Sequence, residues 1–338
     1  MPRAAILGYY GFRNLGDEAV LAGIHQMLSS GEHGPAHDLM VLSANPEWTM
    51  QRHPGVTAIS RYGLRNLRSQ LRGIDTFILG GGSLLQDATS LRSVFWYVLV
   101  GILAGSAARR TIWWGQGIGP LSHPVARKLT GLLARRADLL TVRDDASKAL
   151  LSTCMSGLTI DVCADPAFYL GRLSDRTQDK RVGVCYSLRT WKGQALQFPV
   201  AGIDDAWHLP MHLPDDVLGA ERELNWDVAA GSPFPAVMNA LSGCRAAVSV
   251  RLHTLILGAA AGRPVLAISY DPKVDALAAQ LGAPCIPFSQ ASPQRISHEV
   301  DALLSADDTG DHQVARWQLA DKMADKALLP KLRLDSLY

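Results

Sequence analysis

The sequence has few cysteines and lacks the spacings that would give them a ligand or disulfide role. Its five cysteines stand singly in apolar runs, without a C-x-x-C pair or a histidine spacing suited to zinc: Cys154, Cys163, Cys185, Cys244 and Cys285. We expect small buried thiols and no metal. The sequence also has no H-E-x-x-H motif and no G-x-S-x-G turn, which argues against a zinc protease and a serine hydrolase.

A large charge excess and a long apolar run are also missing. The 33 Lys and Arg residues nearly balance 31 Asp and Glu, for a net charge of +2, so no nucleic-acid partner is expected. The uncharged residues 94–108 are shorter than the roughly 20 residues of a spanning helix; they predict a buried helix, with a membrane-touching surface or a span as alternatives. The first residues show no secretory signal, which predicts a cytoplasmic protein.

Short aliphatic runs alternate with amphipathic stretches of helical length along the chain. This alternation predicts an α/β fold of parallel sheets with crossover helices. Strands are predicted at residues 4–7, 39–43, 76–79, 111–115, 139–142, 160–163, 182–186, 206–210, 246–250, 265–269 and 285–287. Helices are predicted at residues 17–28, 146–151, 235–242, 255–261 and 274–280.

The length of 338 residues suits two domains of about 150 residues each. The polar, charged residues 171–181 interrupt the strand pattern, which restarts at residue 182. We therefore predict two doubly wound domains, residues 1–175 and 176–338. The amphipathic stretch 313–329 is expected to pack back across the first domain.

Two glycine-rich segments follow predicted strands, where open α/β sheets bind their ligands. The first, GYYGFRNLGDEA at residues 8–19, combines a tight turn with a helix N-terminus that suits an anion, but matches neither a dinucleotide motif nor a P-loop. Its Tyr10, Phe12 and Asn14 are candidate ligand contacts or, equally, packing residues. The second, GGGSLLQD at residues 80–87, allows a close approach by a ligand or by another part of the chain.

Single arginines stand at two other strand ends. Arg143 and Arg189 can each fork onto a carboxylate or phosphate. For Arg143, the alternative is an ion pair with Asp144, Asp145 or Asp165. For Arg189, the alternative is stacking on the aromatic ring of Trp191.

The most informative stretch is VSVRLHTLILGAAAGRPVLAISYDPKV at residues 248–274. Arg251 and His253 follow a strand and open a helix, and Lys273 follows the next strand. A cation and an imidazole at a helix N-terminus can hold an anion and move a proton. This stretch therefore predicts the centre of the active site.

In their order, these motifs resemble the polysaccharide pyruvyl transferase family, and in particular its bacterial cell-wall, CsaB-like branch. Three further segments contribute to the resemblance: GQGIGP at residues 115–120, VRD at residues 142–144 and SLRTW at residues 187–191. The resemblance implies a GT-B-like fold of two facing Rossmann-like domains with the active site in the cleft.

It also implies that phosphoenolpyruvate donates a pyruvyl group to two hydroxyls of a sugar as a cyclic ketal and releases phosphate. The acceptor in this branch is commonly an N-acetylmannosamine of a lipid-linked cell-wall polysaccharide, and the modified polymer anchors surface-layer proteins. By motif, His253 is the catalytic acid or base, and no cofactor is implied. The implied phosphoenolpyruvate contacts are Arg143, Arg251, Lys273, Tyr10 and Phe12, with Arg189, Asn14 and Leu252 as further candidates.

Two alternatives remain at this stage: a GT-B glycosyltransferase that uses a nucleotide sugar, and a sugar-binding or scaffold protein without catalysis. A lipid-linked acceptor implies peripheral contact with the inner face of the membrane, through residues 94–108 or the basic residues near Arg109. The sequence leaves open a homo-oligomer, the acceptor sugar and the ketal linkage.

Overall fold

The computed structural model divides the chain into two compact units. Unit 1 consists of Met1–Phe12, Val20–Tyr169 and Asp325–Tyr338, and unit 2 of Arg13–Ala19 and Leu170–Ala324. The predicted domains, 1–175 and 176–338, differ from this division at residues 13–19, 170–175 and 325–338. The structure describes residues 1–31, 34–88, 90–176, 181–191, 194–195, 205–213, 216, 223–227, 231–306 and 310–336.

Unit 1 contains an eight-stranded sheet within its described residues, and all its pairings are parallel. The strand order is β3-β2-β1-β4-β6-β7-β8, and β5 lies beside β6. The strands read as continuous apolar runs because helices cover both faces of such a sheet. They are β1 (Arg3–Leu7), β2 (Asp38–Ser43), β3 (Thr57–Ser60), β4 (Thr76–Leu79), β5 (Gly82–Leu85), β6 (Arg110–Ile118), β7 (Leu139–Val142) and β8 (Asp161–Val162).

Six helices among the described residues follow in the first half of the chain, the first of which runs from unit 2 into unit 1. They are α1 (Leu15–Ser29), α2 (Pro46–Arg52), α3 (Leu67–Gln70), α4 (Leu91–Gly105), α5 (Pro124–Ala134) and α6 (Asp145–Cys154). A short 3-10 helix, Pro166–Leu173, follows β8. Side chains of Asn45, Ser90 and Asp144 cap α2, α4 and α6, which satisfies N–H groups that a helix start leaves open.

Unit 2 contains a five-stranded parallel sheet within its described residues, in the order β12-β9-β13-β14-β15, and a separate antiparallel pair, β10 with β11. Its strands are β9 (Val184–Ser187), β10 (Thr190–Trp191), β11 (Gln194–Ala195), β12 (Trp207–His208), β13 (Ala246–Ser249), β14 (Val265–Ser269) and β15 (Cys285–Pro287). Its helices are α7 (Phe234–Ser242), α8 (Leu252–Ala260), α9 (Pro272–Leu281) and α10 (Pro293–Ala306). The final helix, α11 (Gly310–Asp335), passes from unit 2 into unit 1.

The end of α11 is anchored in the core of unit 1. The indole Nε1 of Trp114 donates to the carbonyl of Ala327 at 3.1 Å. Lys331 is fully buried, and its Nζ donates to the carbonyl of Pro35 at 2.9 Å and to Asp335 Oδ1 at 2.6 Å. A buried ammonium with these partners fixes the last turns of the helix in place.

The structure also tests the expectations about a membrane span and about the burial of the cysteines. Among the helices of the described residues, none combines the length and apolar character needed to cross a bilayer. The expectation that all five cysteines are buried is wrong for Cys154, which is half-buried, and for Cys285, which is exposed at the start of the edge strand β15. Burial raises the pKa of Cys163 to about 12, so this thiol stays protonated at neutral pH.

We predict that part of the stability of the protein disappears in mild acid through His25 of α1. Burial, followed by the charge of His53, lowers the pKa of His25 from 6.5 to about 4. Because the unfolded chain takes up this proton first, the contribution is complete above pH 6.5 and is lost as the pH falls through about 4. Denaturant unfolding across this range should show a loss on the order of 1–3 kcal/mol that shrinks in His25→Gln. The exposed His298→Gln is the control, and an unchanged slope in His25→Gln would contradict the assignment.

Candidate functional site

The start of α8 is the centre of the candidate site in unit 2. β13 ends at Ser249 and α8 begins at Leu252, with Arg251 as the N-cap in an extended conformation. The Arg251 N–H donates to Ser249 Oγ at 2.7 Å, and among the described residues no side chain caps the helix. The N-terminus of α8 therefore keeps its partial positive charge for an anion.

Arg251 forms a two-point ion pair with the buried Asp216. Its Nε donates to Asp216 Oδ2 at 2.8 Å, and its Nη2 contacts Oδ1. Asp216 Oδ2 also accepts from the backbone N–H of Met211 and His212, at 3.3 and 3.1 Å. The Arg251 side chain is 19% exposed, and its Nη1 donates to no described residue. One edge of the guanidinium is thus fixed by protein, and the other can fork onto a ligand.

The first glycine-rich motif contributes to this site because Arg13–Ala19 belongs to unit 2. The backbone N–H of Leu15 donates to Met211 O at 2.7 Å, and that of Leu213 to Arg13 O at 3.2 Å. Asn14 Oδ1 accepts from the N–H groups of Gly16 and Asp17, at 3.0 and 3.4 Å. Asn14 therefore caps the first turn of α1, and its contact with a ligand stays a prediction.

His253 lies directly against this first turn. A methyl group added at Gly16 would lie 2.4 Å from His253 Nδ1 and 2.7 Å from its Cγ. Only a residue without a Cβ permits this approach, so Gly16 fixes where the imidazole lies. The part of the first motif in unit 2, residues 13–19, thus meets the start of α8.

We predict that Gly16→Ala lowers kcat by about 10- to 100-fold, because the added methyl displaces the imidazole and misplacement by about 1 Å is costly in catalysis. The melting temperature should be nearly unchanged, since alanine favours a helix. Gly63→Ala is the matched control, because its added methyl would meet neighbours only at ordinary distances from 3.6 Å. A Gly16→Ala variant with full kcat would show that Gly16 does not position His253.

Further basic candidates follow neighbouring strands of the unit 2 sheet. Arg189 follows β9, Arg251 follows β13 and Lys273 follows β14, and these three strands are adjacent and parallel. The backbone N–H of Lys273 donates to Asp271 Oδ1 at 3.0 Å in the first turn of α9. Leu252 is the half-buried first residue of α8. The side chain of Trp191, the proposed stacking partner of Arg189, lies outside the described residues.

Arg143 lies in unit 1, where its side chain is almost fully buried. Its Nη1 donates to Asp165 Oδ2 at 3.3 Å, its Nη2 to Ser83 Oγ at 3.1 Å, and its Nε lies 3.5 Å from Asp144 Oδ2. All three nitrogens therefore have protein partners, and the ion pairs with Asp144 and Asp165 are present. Each terminal nitrogen of Arg143 carries a second N–H, so a phosphoenolpyruvate contact for Arg143 stays a prediction.

The aromatic candidates of the first motif also belong to unit 1. Tyr10 is fully buried, and its hydroxyl occupies the space that a methyl group at Gly80 would need, at 2.2 Å. Tyr10 therefore packs against the second glycine-rich segment. Phe12 is half-buried and stacks on Tyr9 with ring centroids 4.0 Å apart. Their lining of a substrate pocket stays a prediction.

Arg61 is a buried cation that sequence reasoning missed. Its Nη1 donates to the carbonyl of Gly8 at 2.8 Å, and its guanidinium carbon lies 4.1 Å from the ring centroid of Trp96 and 5.1 Å from that of Phe12. Cation–π contacts stabilise a guanidinium that is removed from water. Arg61 thereby holds the backbone and one aromatic side chain of the first motif.

The comparisons with solved structures show the fold. Staphylococcus aureus MnaA with UDP is 13% identical, covers 96% of this chain and 91% of its own, and has a TM-score of 0.55. The UDP-GlcNAc 2-epimerase of Neisseria meningitidis, bound to UDP-GlcNAc, is 13% identical over 100% of this chain and 99% of its own, with a TM-score of 0.54. Anabaena HepE with UDP and glucose is 11% identical over 100% and 99%, with a TM-score of 0.54. The chain therefore has the α/β fold of GT-B glycosyltransferases and related epimerases, with two Rossmann-like units.

The sequence comparisons identify the family. No curated protein matches this chain. The family model described as polysaccharide pyruvyl transferase matches residues 14–272. This match covers more than half of the chain and includes Asn14, Gly16, Arg251 and His253. The chain belongs to the polysaccharide pyruvyl transferase family.

Proposed function

We propose that this protein transfers the pyruvyl group of phosphoenolpyruvate to two hydroxyls of a sugar in a lipid-linked cell-wall polysaccharide precursor, as in the CsaB-like branch. The acceptor that we propose is an N-acetylmannosamine residue. One observation carries the proposal: Arg251 keeps an open guanidinium edge at the uncapped N-terminus of α8, in the same helical turn as His253.

The donor has the charge pattern that this arrangement can bind. Phosphoenolpyruvate places a carboxylate and a phosphate within a few ångströms of each other, so its site needs several positive groups close together. Arg251 and the α8 N-terminus supply two of them, and we assign Lys273 and Arg189 as further contacts because they follow strands adjacent to β13.

The reaction has a defined proton and bond balance. The vinyl carbon of the donor gains a proton and becomes a methyl group, while one sugar hydroxyl attacks the adjacent carbon. A second hydroxyl then displaces phosphate by breaking the carbon–oxygen bond, which closes the cyclic ketal. Both hydroxyl protons leave the sugar, so the enzyme needs an acid and a base close to the reacting carbon.

His253 is the group that we assign to this proton transfer. It either donates the proton to the vinyl carbon or accepts the proton of the first attacking hydroxyl. Arg251 and Lys273 stabilise the negative charge on the departing phosphate. Neither role calls for a metal or a nucleotide.

The test is turnover by the purified full chain. We expect it to release inorganic phosphate from phosphoenolpyruvate only when a lipid-linked N-acetylmannosamine saccharide is present. The mass of the saccharide should increase by one pyruvate less one water. Transfer of a sugar from a UDP-sugar to the same saccharide, with phosphoenolpyruvate left intact, would replace this proposal by a glycosyltransferase.

A further inference from the structure

We propose that the outer face of helices α4 and α5 in unit 1 docks on an anionic lipid bilayer. This surface, the α4–α5 face, consists of the exposed side chains of two neighbouring helices. Its proposed occupant is a membrane with acidic headgroups. The proposal goes beyond the transfer reaction and is testable without donor or acceptor.

The apolar part of this face is unusually exposed. Four large hydrophobic side chains point to solvent, and their exposed fractions are 46% for Phe95, 47% for Leu99, 41% for Val125 and 43% for Leu132. The opposite sides of both helices are buried in the core of unit 1. The exposed side chains are therefore not needed to hold the helices on the sheet.

The helical spacing places these side chains in two mixed stripes. On α4, Arg92, Phe95 and Leu99 follow one another at i, i+3 and i+7. On α5, the exposed stripe contains two apolar and two cationic side chains with the same kind of spacing: Val125, Lys128, Leu132 and Arg135. Each stripe thus combines apolar and positive side chains, which alternate on α5.

The two stripes are close together because the helices are in contact. A methyl group at Gly101 of α4 would lie 3.1 Å from Leu133 Cδ1 of α5. Leu99 and Leu132 each lie within about one helical turn of this contact. Gly101 and Leu133 are on the buried sides of their helices, so the exposed stripes belong to the outer sides of two neighbouring helices.

The charge of this region has a single sign. Residues 91–137 contain seven Lys and Arg residues and no Asp or Glu, in a chain whose net charge is only +2. No ion pair with a described residue engages the side chains of Arg92, Lys128, Arg135 or Arg136. The flanking carboxylates of Asp87 and Asp138 accept backbone N–H groups instead, at 2.6 to 2.9 Å.

This combination fits a membrane surface with acidic lipids. Apolar side chains enter the headgroup boundary, and surrounding cations bind the anionic headgroups, each with about 1 kcal/mol. Residues 91–137 contribute no acidic side chain that would repel such a membrane. Charge complementarity thus favours an anionic bilayer as the occupant.

The test is co-sedimentation of the full chain with lipid vesicles. Wild type should bind vesicles that contain phosphatidylglycerol, bind phosphatidylcholine vesicles far more weakly, and dissociate as salt is raised. The triple variant Lys128→Gln, Arg135→Gln, Arg136→Gln should lose affinity about a hundredfold, from about 1 kcal/mol for each cation. The triple variant Arg245→Gln, Lys322→Gln, Lys326→Gln removes as much exposed charge elsewhere and should bind like wild type.

A second pair of variants tests how much the apolar side chains contribute to vesicle binding. Phe95→Ser with Leu99→Ser should weaken binding, whereas Val314→Ser with Leu332→Ser removes similarly exposed side chains elsewhere and should not. Melting temperatures show that each variant is folded. Failure of wild type to bind phosphatidylglycerol vesicles, or equal losses in the control variants, would overturn the proposal. So would a dimer, in place of vesicle binding, that the Phe95 and Leu99 substitutions abolish.

Discussion

Replacing His253 by alanine is expected to lower kcat for pyruvyl transfer by 10²- to 10⁴-fold, because a positioned acid or base typically contributes that much. Phosphoenolpyruvate should still bind with nearly wild-type affinity, since the cations and the α8 N-terminus remain. The imidazole is only half-buried and lies against Gly16, so its loss should cost little stability. Phosphate release and calorimetric titration measure the two quantities separately.

The matched control for this prediction is His298→Ala, which removes an exposed imidazole from α10. That variant should keep wild-type kcat. A His253→Ala enzyme with near-normal turnover would exclude both assigned roles, acid and base. A loss of donor binding equal to the loss of kcat would instead make His253 a binding residue.

Removing Arg251 is expected to weaken phosphoenolpyruvate binding by about 2–5 kcal/mol, which is roughly 30-fold to several thousandfold. The open guanidinium edge supplies charge-assisted hydrogen bonds that a neutral side chain cannot replace. Arg251→Ala also leaves the carboxylate of Asp216 buried without its cation, so the protein should lose stability as well. Calorimetry with phosphoenolpyruvate measures the first effect and thermal unfolding the second.

A second variant separates these two effects. Combining Arg251→Gln with Asp216→Asn removes the ion pair without leaving a buried charge, so most of the stability should return. Donor binding should stay lost, because no cation has been restored. If the double variant binds phosphoenolpyruvate like wild type, Arg251 serves only to hold Asp216.

The sequence was a good guide to the elements that depend on local apolar patterns. The predicted strands at residues 76–79, 139–142, 265–269 and 285–287 have the bounds found in the structure. The short strand β3 (Thr57–Ser60) was missed because its side chains are only partly buried at the sheet edge. In a partly buried edge strand, the alternation of polar and apolar residues predicts a strand only weakly.

Interactions across large sequence separations could not be predicted. Arg251 and Asp216 are 35 residues apart, and no motif relates them. The same holds for Arg61, whose bond to Gly8 spans 53 residues. Helix α1 was predicted, but no local pattern indicates that its first turn belongs to unit 2 and contacts His253.

Residue type alone also could not separate the two strand-end arginines. Arg143 and Arg251 both follow a buried strand and were both expected to bind phosphoenolpyruvate. In the structure every nitrogen of Arg143 has a protein partner, whereas Arg251 keeps one edge available. The difference depends on which carboxylates the fold brings near, which is a property of tertiary structure.

The most direct test of the central claim is calorimetric titration of the wild-type protein with phosphoenolpyruvate, beside UDP and CMP. Selective binding of phosphoenolpyruvate, with no heat from either nucleotide, is the result that the proposed function predicts. Binding of UDP or CMP without binding of phosphoenolpyruvate would contradict it and would make the protein a nucleotide-sugar enzyme.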